Sequence, residues 1–121
     1  MAKILVVDDS GAVRDEVAGF LRKHGLDVDT AVDGKDGLAK MKSNPGVRLV
    51  VSDVNMPNMD GLTMAEKIRG ELANSGVNIV MLTTESSPAM KERGKAAGVK
   101  GWIVKPFKGE AVLETFRKLA G

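Results

Sequence analysis

The sequence predicts an α/β fold: a five-stranded parallel sheet, doubly wound in the order 2-1-3-4-5, with five helices on its two faces. Three observations predict it. The runs at residues 4–7, 49–51 and 79–82 are continuously apolar, lacking the alternation of a half-exposed strand, so they suit strands buried on both faces. Strand-like and helix-like stretches alternate five times in 121 residues, with links short enough to imply right-handed crossovers. The first, third and fourth strands are the most apolar, which places them in the middle of the sheet.

The first strand is read at residues 3–7 and stops at Asp8-Asp9. A helix follows over 11–24, with Val13, Val17, Phe20, Leu21 and His24 recurring along one face, and Gly25 closes it as a C′ glycine. Residues 28–32 alternate with polar side chains and suit an edge strand. The second helix spans 34–42, with Asp33 as its N-cap and Leu38 and Met41 inward, and Asn44-Pro45-Gly46 stops it. The third strand begins at Leu49 and ends at Asp53. Asp60 caps the third helix, whose inner face is Leu62, Ala65, Ile68 and Leu72, and Asn74-Ser75-Gly76 breaks it. The fourth strand, 78–82, ends at Thr83-Thr84; Ser87-Pro88 then reads as N-cap and N1 of a helix over 88–97 with Gly98 at its end. That helix offers chiefly Met90, Ala96 and Ala97 to the core, so it is expected to shift at low cost. The fifth strand, 101–104, ends at Lys105-Pro106, and the last helix, 109–120, buries Val112, Leu113, Phe116 and Leu119.

Composition narrows the chemistry. The length suits one domain, residues 1–121, able to bury roughly two thirds of its unfolded surface. Without cysteine there is no disulfide, thiolate nucleophile or cysteine metal site, and His24 alone cannot build a histidine triad or a histidine-based zinc site. Eighteen basic and 16 acidic residues leave a net charge of +2, with no Lys/Arg run resembling a nucleic-acid arm. No apolar run is long enough for a signal peptide or a bilayer span. The expectation is a cytoplasmic protein with neither nucleic-acid nor membrane partners. The methionines at 56, 59, 64, 81 and 90 read as gap-fillers or an adaptable surface.

The strand ends carry the functional signal. Asp8-Asp9, Asp53, Thr83 and Lys105 each terminate a different strand, and parallel strands bring those ends to one edge of the sheet, where ligands of open α/β sheets bind. Singly, each has an ordinary role: the aspartates as turn or cap residues, Thr83 as a strand terminus, Lys105 as a solvated surface lysine. All four strand ends together point instead to one site. Carboxylates on adjacent strands, about 4.8 Å apart, come close enough to repel. At about 4 Å and an effective dielectric near 20 that repulsion is roughly 4 kcal/mol per pair, which something must offset. A hard divalent cation does so: a few carboxylates, a carbonyl and waters are the oxygen set Mg²⁺ prefers, and Mn²⁺ accepts the same ligands. With cation, Lys105 and the Thr83 hydroxyl holding phosphoryl oxygens, Asp53 can act as a nucleophile on phosphorus and form an aspartyl phosphate.

Val6-Val7-Asp8-Asp9, the run from Ser52-Asp53-Val54-Asn55-Met56-Pro57 to Asn58-Met59-Asp60-Gly61, Leu82-Thr83-Thr84-Glu85 and Val104-Lys105-Pro106-Phe107 together resemble the signature of the receiver domain of two-component response regulators, across essentially the whole chain. Within that family the chain is most similar to the stand-alone chemotaxis regulators of CheY type, which serve as a reference example of this flavodoxin-like strand order. The resemblance implies that Asp53 accepts a phosphoryl group from a sensor histidine kinase. It implies that Asp9, Asp53 and the Asn55 backbone carbonyl hold Mg²⁺, with Asp8 joining through water, and that Thr83 and Lys105 bind the phosphate. It also implies a cis Lys105–Pro106 bond and places Trp102 at the aromatic switch position, where a tyrosine or phenylalanine is commoner. Lys108 departs from the capping hydroxyl expected before the last helix. Such a protein is a signalling switch and not an enzyme, beyond self-phosphotransfer and slow autodephosphorylation at Asp53. It is expected to act as a monomer with a kinase, an output protein such as a flagellar motor switch protein, and a phosphatase. Phosphorylation is expected to draw Thr83 inward, let Trp102 follow, and remodel a face carrying Lys91, Lys95, Lys100, Trp102 and Lys108, suited to an acidic, partly helical partner segment.

Other classes fit less well. A haloacid-dehalogenase-type phosphatase wants Asp-x-Asp after the first strand, where this chain has adjacent aspartates. A flavodoxin needs hydroxyl and glycine donors where this loop is acidic. A phosphorelay intermediate, or a receiver fragment of a transcription regulator, would need the same site and stays open.

Overall fold

The computed structural model describes residues 2–72 and 76–121. Its strands are β1 (Ile4–Val7), β2 (Val28–Ala31), β3 (Leu49–Ser52), β4 (Asn78–Thr83) and β5 (Gly101–Val104). Its helices are α1 (Gly11–Lys23), α2 (Gly34–Ser43), α3 (Gly61–Glu71), α4 (Pro88–Ala96) and α5 (Gly109–Ala120). All pairings are parallel and the order is β2-β1-β3-β4-β5, as the sequence predicts. Val7 lies opposite Ser52, Ser52 opposite Met81 and Thr83 opposite Val104, so the carboxyl ends of β1, β3, β4 and β5 finish nearly level.

The two-faced burial of the apolar strands follows from their pleat. Leu5, Val7, Val50, Ile79 and Met81 point to one side and pack with Leu38 and Met41 of α2 and with Leu62, Met64, Ala65 and Ile68 of α3. Ile4, Val6, Leu49, Val51, Val80 and Leu82 point to the other, against Val17, Ala18 and Leu21 of α1 and Phe116 of α5. Ser10, Asp33, Asp60 and Ser87 cap α1 to α4, each accepting from the backbone N–H three residues on. Lys108, at the corresponding position of α5, makes no side-chain cap.

The differences from the sequence reading are local. Lys3 is exposed and β1 starts one residue later; Val32 turns to solvent at 49 % exposure, so β2 ends at Ala31. In α1, Ala18 is buried where Val13, Phe20 and His24 are only partly covered; His24 becomes the C-cap, its ring tilted against that of Phe20. Helix α2 reaches Ser43, and β4 includes Thr83. In α5, Phe116 is fully buried whereas Val112, Leu113 and Leu119 are half-buried. The expected break at Asn74 and Ser75 lies outside the described residues.

Helix α4 departs most. It ends at Ala96, which is exposed, and Gly94 is its buried residue, with Ala97 buried just beyond. Polar bonds to α3 replace apolar anchoring. Arg93 donates to both carboxylate oxygens of Glu66 and to the Thr63 hydroxyl, and Arg69 donates to the carbonyls of Ala97, Gly98 and Val77.

Candidate functional site

The β1 end supplies Asp8, 2 % exposed, and the exposed Asp9. One carboxylate oxygen of Asp8 accepts from the Ser10 N–H at 2.9 Å, and Arg14 donates to its backbone carbonyl at 2.6 Å, so the start of α1 fixes this residue from both ends. Asp53 follows β3 directly. Its backbone N–H extends the sheet to the Val7 carbonyl, and its Oδ1 accepts from the Val54 N–H at 2.7 Å. Ligand oxygens of Asp8, Asp9 and Asp53 all lie within 4.8 Å of one another.

Lys105 enters from β5. Its backbone N–H donates to the Thr83 carbonyl, its bond to Pro106 is cis, and its Nζ lies 3.0 Å from both Asp8 Oδ2 and Asp53 Oδ2. At 3.0 Å and an effective dielectric near 20, each of these attractions is about 5 kcal/mol, against roughly 3.5 for two carboxylates 4.8 Å apart. One ammonium therefore offsets the Asp8–Asp53 repulsion and leaves Asp9 uncompensated. Burial, above all, pushes the Asp8 carboxyl above its ordinary value, and the Asp53 charge adds to this against the opposing bonds from Ser10 and Lys105. For Lys105 burial acts to lower the pKa, but hydrogen bonds and charge from Asp53 and Asp8 together outweigh it and the pKa is raised.

A site of three carboxylates and one ammonium retains two unmatched negative charges. Its all-oxygen donors span roughly what an octahedral shell with metal–oxygen distances near 2.1 Å requires, so the residues fit a hard divalent cation.

The remaining predicted residues adjoin this centre. Thr83 is fully buried at the end of β4, and its hydroxyl accepts from the Glu85 N–H at 3.1 Å. Asn55 is exposed two residues after Asp53, and its side chain bonds toward Glu85, one of the smaller contributions that hold the Glu85 carboxyl below its ordinary value after the larger ones from Ser87. Trp102 is half-buried and packs on the core. Its indole N–H donates to the Glu85 carbonyl at 2.8 Å, and a Cβ added at Gly94 would lie 3.0 Å from its ring.

Compared with known proteins, residues 4–117 match the response regulator receiver domain family. The chain belongs to that family. This receiver is 40 % identical over 114 residues to the chemotaxis protein CheY of Treponema pallidum, covering 93 % of the chain and 78 % of the relative. It is 34 % identical to CheY1 of Helicobacter pylori over 98 % of the chain and 97 % of that protein. Among solved structures it is similar to Vibrio cholerae CheY4 at 43 % identity and a TM-score of 0.88, with 98 % of each chain covered. It also resembles a CheX–CheY–BeF3–Mg²⁺ complex from Borrelia burgdorferi at 28 % identity and a TM-score of 0.88, over 97 % of this chain and 87 % of that one. The receiver is thus CheY-like, a member of a family of signalling switches, with an acidic cluster at the carboxyl edge of its sheet. Among the described residues no helix is long and apolar enough to cross a membrane.

Three contributors escaped the sequence reading. Glu85 links Thr83 to Trp102 through its backbone, which no side-chain pattern reveals. Arg14, which the sequence reading did not single out, donates to the Asp8 backbone carbonyl. Gly61 looked like a helix start, yet a Cβ there would meet the Asp53 carbonyl oxygen at 2.0 Å.

Proposed function

We propose that this receiver, a single domain over residues 1–121, is a cytoplasmic switch activated by phosphorylation of Asp53. The observation that carries the proposal is the bridging of Asp8 and Asp53 by Lys105 beside Asp9. A carboxylate oxygen of Asp53 attacks the phosphorus of a sensor kinase phosphohistidine; the new O–P bond forms as the P–N bond breaks, and the electron pair leaves with the imidazole, which takes a proton from water. Asp9, Asp53 and the Asn55 carbonyl would hold Mg²⁺, with Asp8 joining through water, and the same oxygens would accept Mn²⁺. When bound there, a divalent cation would supply positive charge to offset that on the phosphoryl oxygens. Lys105 Nζ pairs with a phosphoryl oxygen and the Thr83 hydroxyl donates to another. Reversal by water, which attacks phosphorus and releases the carboxylate, makes the state temporary; a phosphatase partner speeds it. This is a switch whose only catalysis is on itself.

Glu85 supports the coupling. The Thr83 hydroxyl that would donate to the phosphoryl group also accepts from the Glu85 N–H, so its movement is felt at Glu85, whose carbonyl holds the Trp102 indole. Trp102 lines a cleft of about 140 Å³ with Lys91, Lys95, Val99 and Lys100, and Lys108 is exposed at the start of α5. An acidic, partly helical segment of an output protein suits this basic face. The likeness to chemotaxis proteins supports a chemotaxis output, and a flagellar motor switch protein is the partner proposed for that face. Phosphorylation with a small-molecule phosphodonor and Mg²⁺ tests the coupling: Trp102 fluorescence changes together with modification of Asp53. A constant signal from protein confirmed as modified would refute it.

A further inference from the structure

The segment that presents Asp53 and Asn55, residues 53–60, is held at one end by β3 and at the other by the Gly61 N–H on the Val54 carbonyl. Its outer half, exposed at Asn55, Pro57 and Asn58, has a second attachment. The Gly34 N–H donates to the Met59 carbonyl at 3.0 Å, and Asn58 Nδ2 donates to Asp33 Oδ2 at 2.7 Å. Asn58 sits at φ +67°, a left-handed conformation that Asn tolerates better than most residues and that turns its side chain back toward α2. Asp33 is 7 % exposed and spends its other oxygen on the Asp36 N–H at 2.8 Å, as the cap of α2. These two bonds hold its carboxyl below the ordinary value, as expected of a carboxylate whose charged form is the hydrogen-bonded one. Both oxygens are thereby committed, one to the helix and one to the loop.

We infer that Asp33 is a positioning residue: by latching Asn58 it fixes the loop that carries Asp53 and the Asn55 carbonyl in the geometry the divalent cation requires. This rests on the metal reading of the site. Asp33 belongs to none of the ligand sets, and the carboxylate cluster found among the described residues does not include it. It acts through the loop. A backbone carbonyl ligand has no side-chain rotamer to adjust, so its position is only as well defined as the loop that bears it.

Reversing the donor and acceptor tests the latch. Asn58→Asp sets two carboxylates against each other while keeping a residue that tolerates positive φ. Adding Asp33→Asn restores one donor and one acceptor, keeps a good N-cap for α2 and returns the net charge to that of the natural protein. Mg²⁺ titration by calorimetry is expected to show N58D binding roughly tenfold more weakly, the low end of what supporting partners give, even though its extra negative charge should attract the ion. D33N/N58D is expected to recover most of that loss. Amide hydrogen exchange over residues 54–59 in metal-free protein should rise in N58D and fall again in the double variant. N58D binding Mg²⁺ as tightly as the natural protein, or a double variant no better than N58D, would overturn the positioning role. Failure of the natural protein itself to bind Mg²⁺ would instead overturn the metal reading, and the latch's role with it. A contact serving stability alone would lower the urea midpoint and leave Mg²⁺ affinity unmoved.

Discussion

Two glycines of α3 receive the same substitution with opposite expected results. At Gly61 a methyl would sit 2.0 Å from the Asp53 carbonyl oxygen and 3.0 Å from the Ser52 hydroxyl, well inside the 3.4 Å where ordinary contact begins. The obstruction is backbone and cannot swing aside. Retreat of that carbonyl loosens the Ser52 hydroxyl bond to it and the Gly61–Val54 bond, both 2.8 Å. At about 1 kcal/mol for each bond, plus about 1–3 for the overpacking, Gly61→Ala should cost roughly 3–5 kcal/mol. With a urea m-value near 2 kcal/mol per molar, the midpoint should fall by about 2 M. At Gly70, where nothing lies within 4 Å, Ala gains helix propensity and should raise stability by up to about 1 kcal/mol. Urea unfolding followed by circular dichroism reads both. A G61A midpoint within experimental scatter of the natural protein's would refute the idea that Gly61 exists to let α3 begin against the Asp53 backbone.

Asp33→Ala should cost about 1 kcal/mol at pH 7 through the lost cap, with the Asn58 bond adding to it. Because the folded pKa of Asp33 lies below its ordinary 3.8, that contribution is fully present above pH 3.8 and is lost as pH falls through the folded value; the difference in urea midpoint from the natural protein should therefore shrink on acidification, and a constant gap would contradict it. Arg93→Ala should lower stability by no more than about 1 kcal/mol, since the Glu66 pair is exposed to solvent, yet should raise amide exchange in α4 well above that in α3. Gly94→Ala should displace the Trp102 ring and shift its fluorescence emission in the resting protein, while an unaltered spectrum would show that the ring does not rest on α4.

The sheet order was legible because unbroken apolar runs at β1, β3 and β4 can be buried on both faces only in the middle of a parallel sheet. Given that order, topology alone brings Asp8, Asp9, Asp53 and Lys105 to one edge, and the 3.0 Å bridges follow. What stayed hidden depends on backbone partners. The Arg69 bonds to three carbonyls, the Glu85 link between Thr83 and Trp102, and the Met59 carbonyl on the Gly34 N–H leave no periodicity to read. Ala96 misled for a related reason: α4 is held to α3 by its own Arg93 and by Arg69 of α3, so its apolar spacing does not report which side faces inward.

The most direct measurement is mass spectrometry of the intact chain and of its peptides after exposure to an acyl-phosphate donor, with and without Mg²⁺. The expected result is one phosphoryl group per chain, mapped to Asp53, dependent on the divalent cation, absent from Asp53→Asn and reduced in Lys105→Met. Labelling at another residue, or labelling of Asp53 at full rate in the presence of chelator, would contradict a cation-assisted aspartyl phosphate at this edge of the sheet.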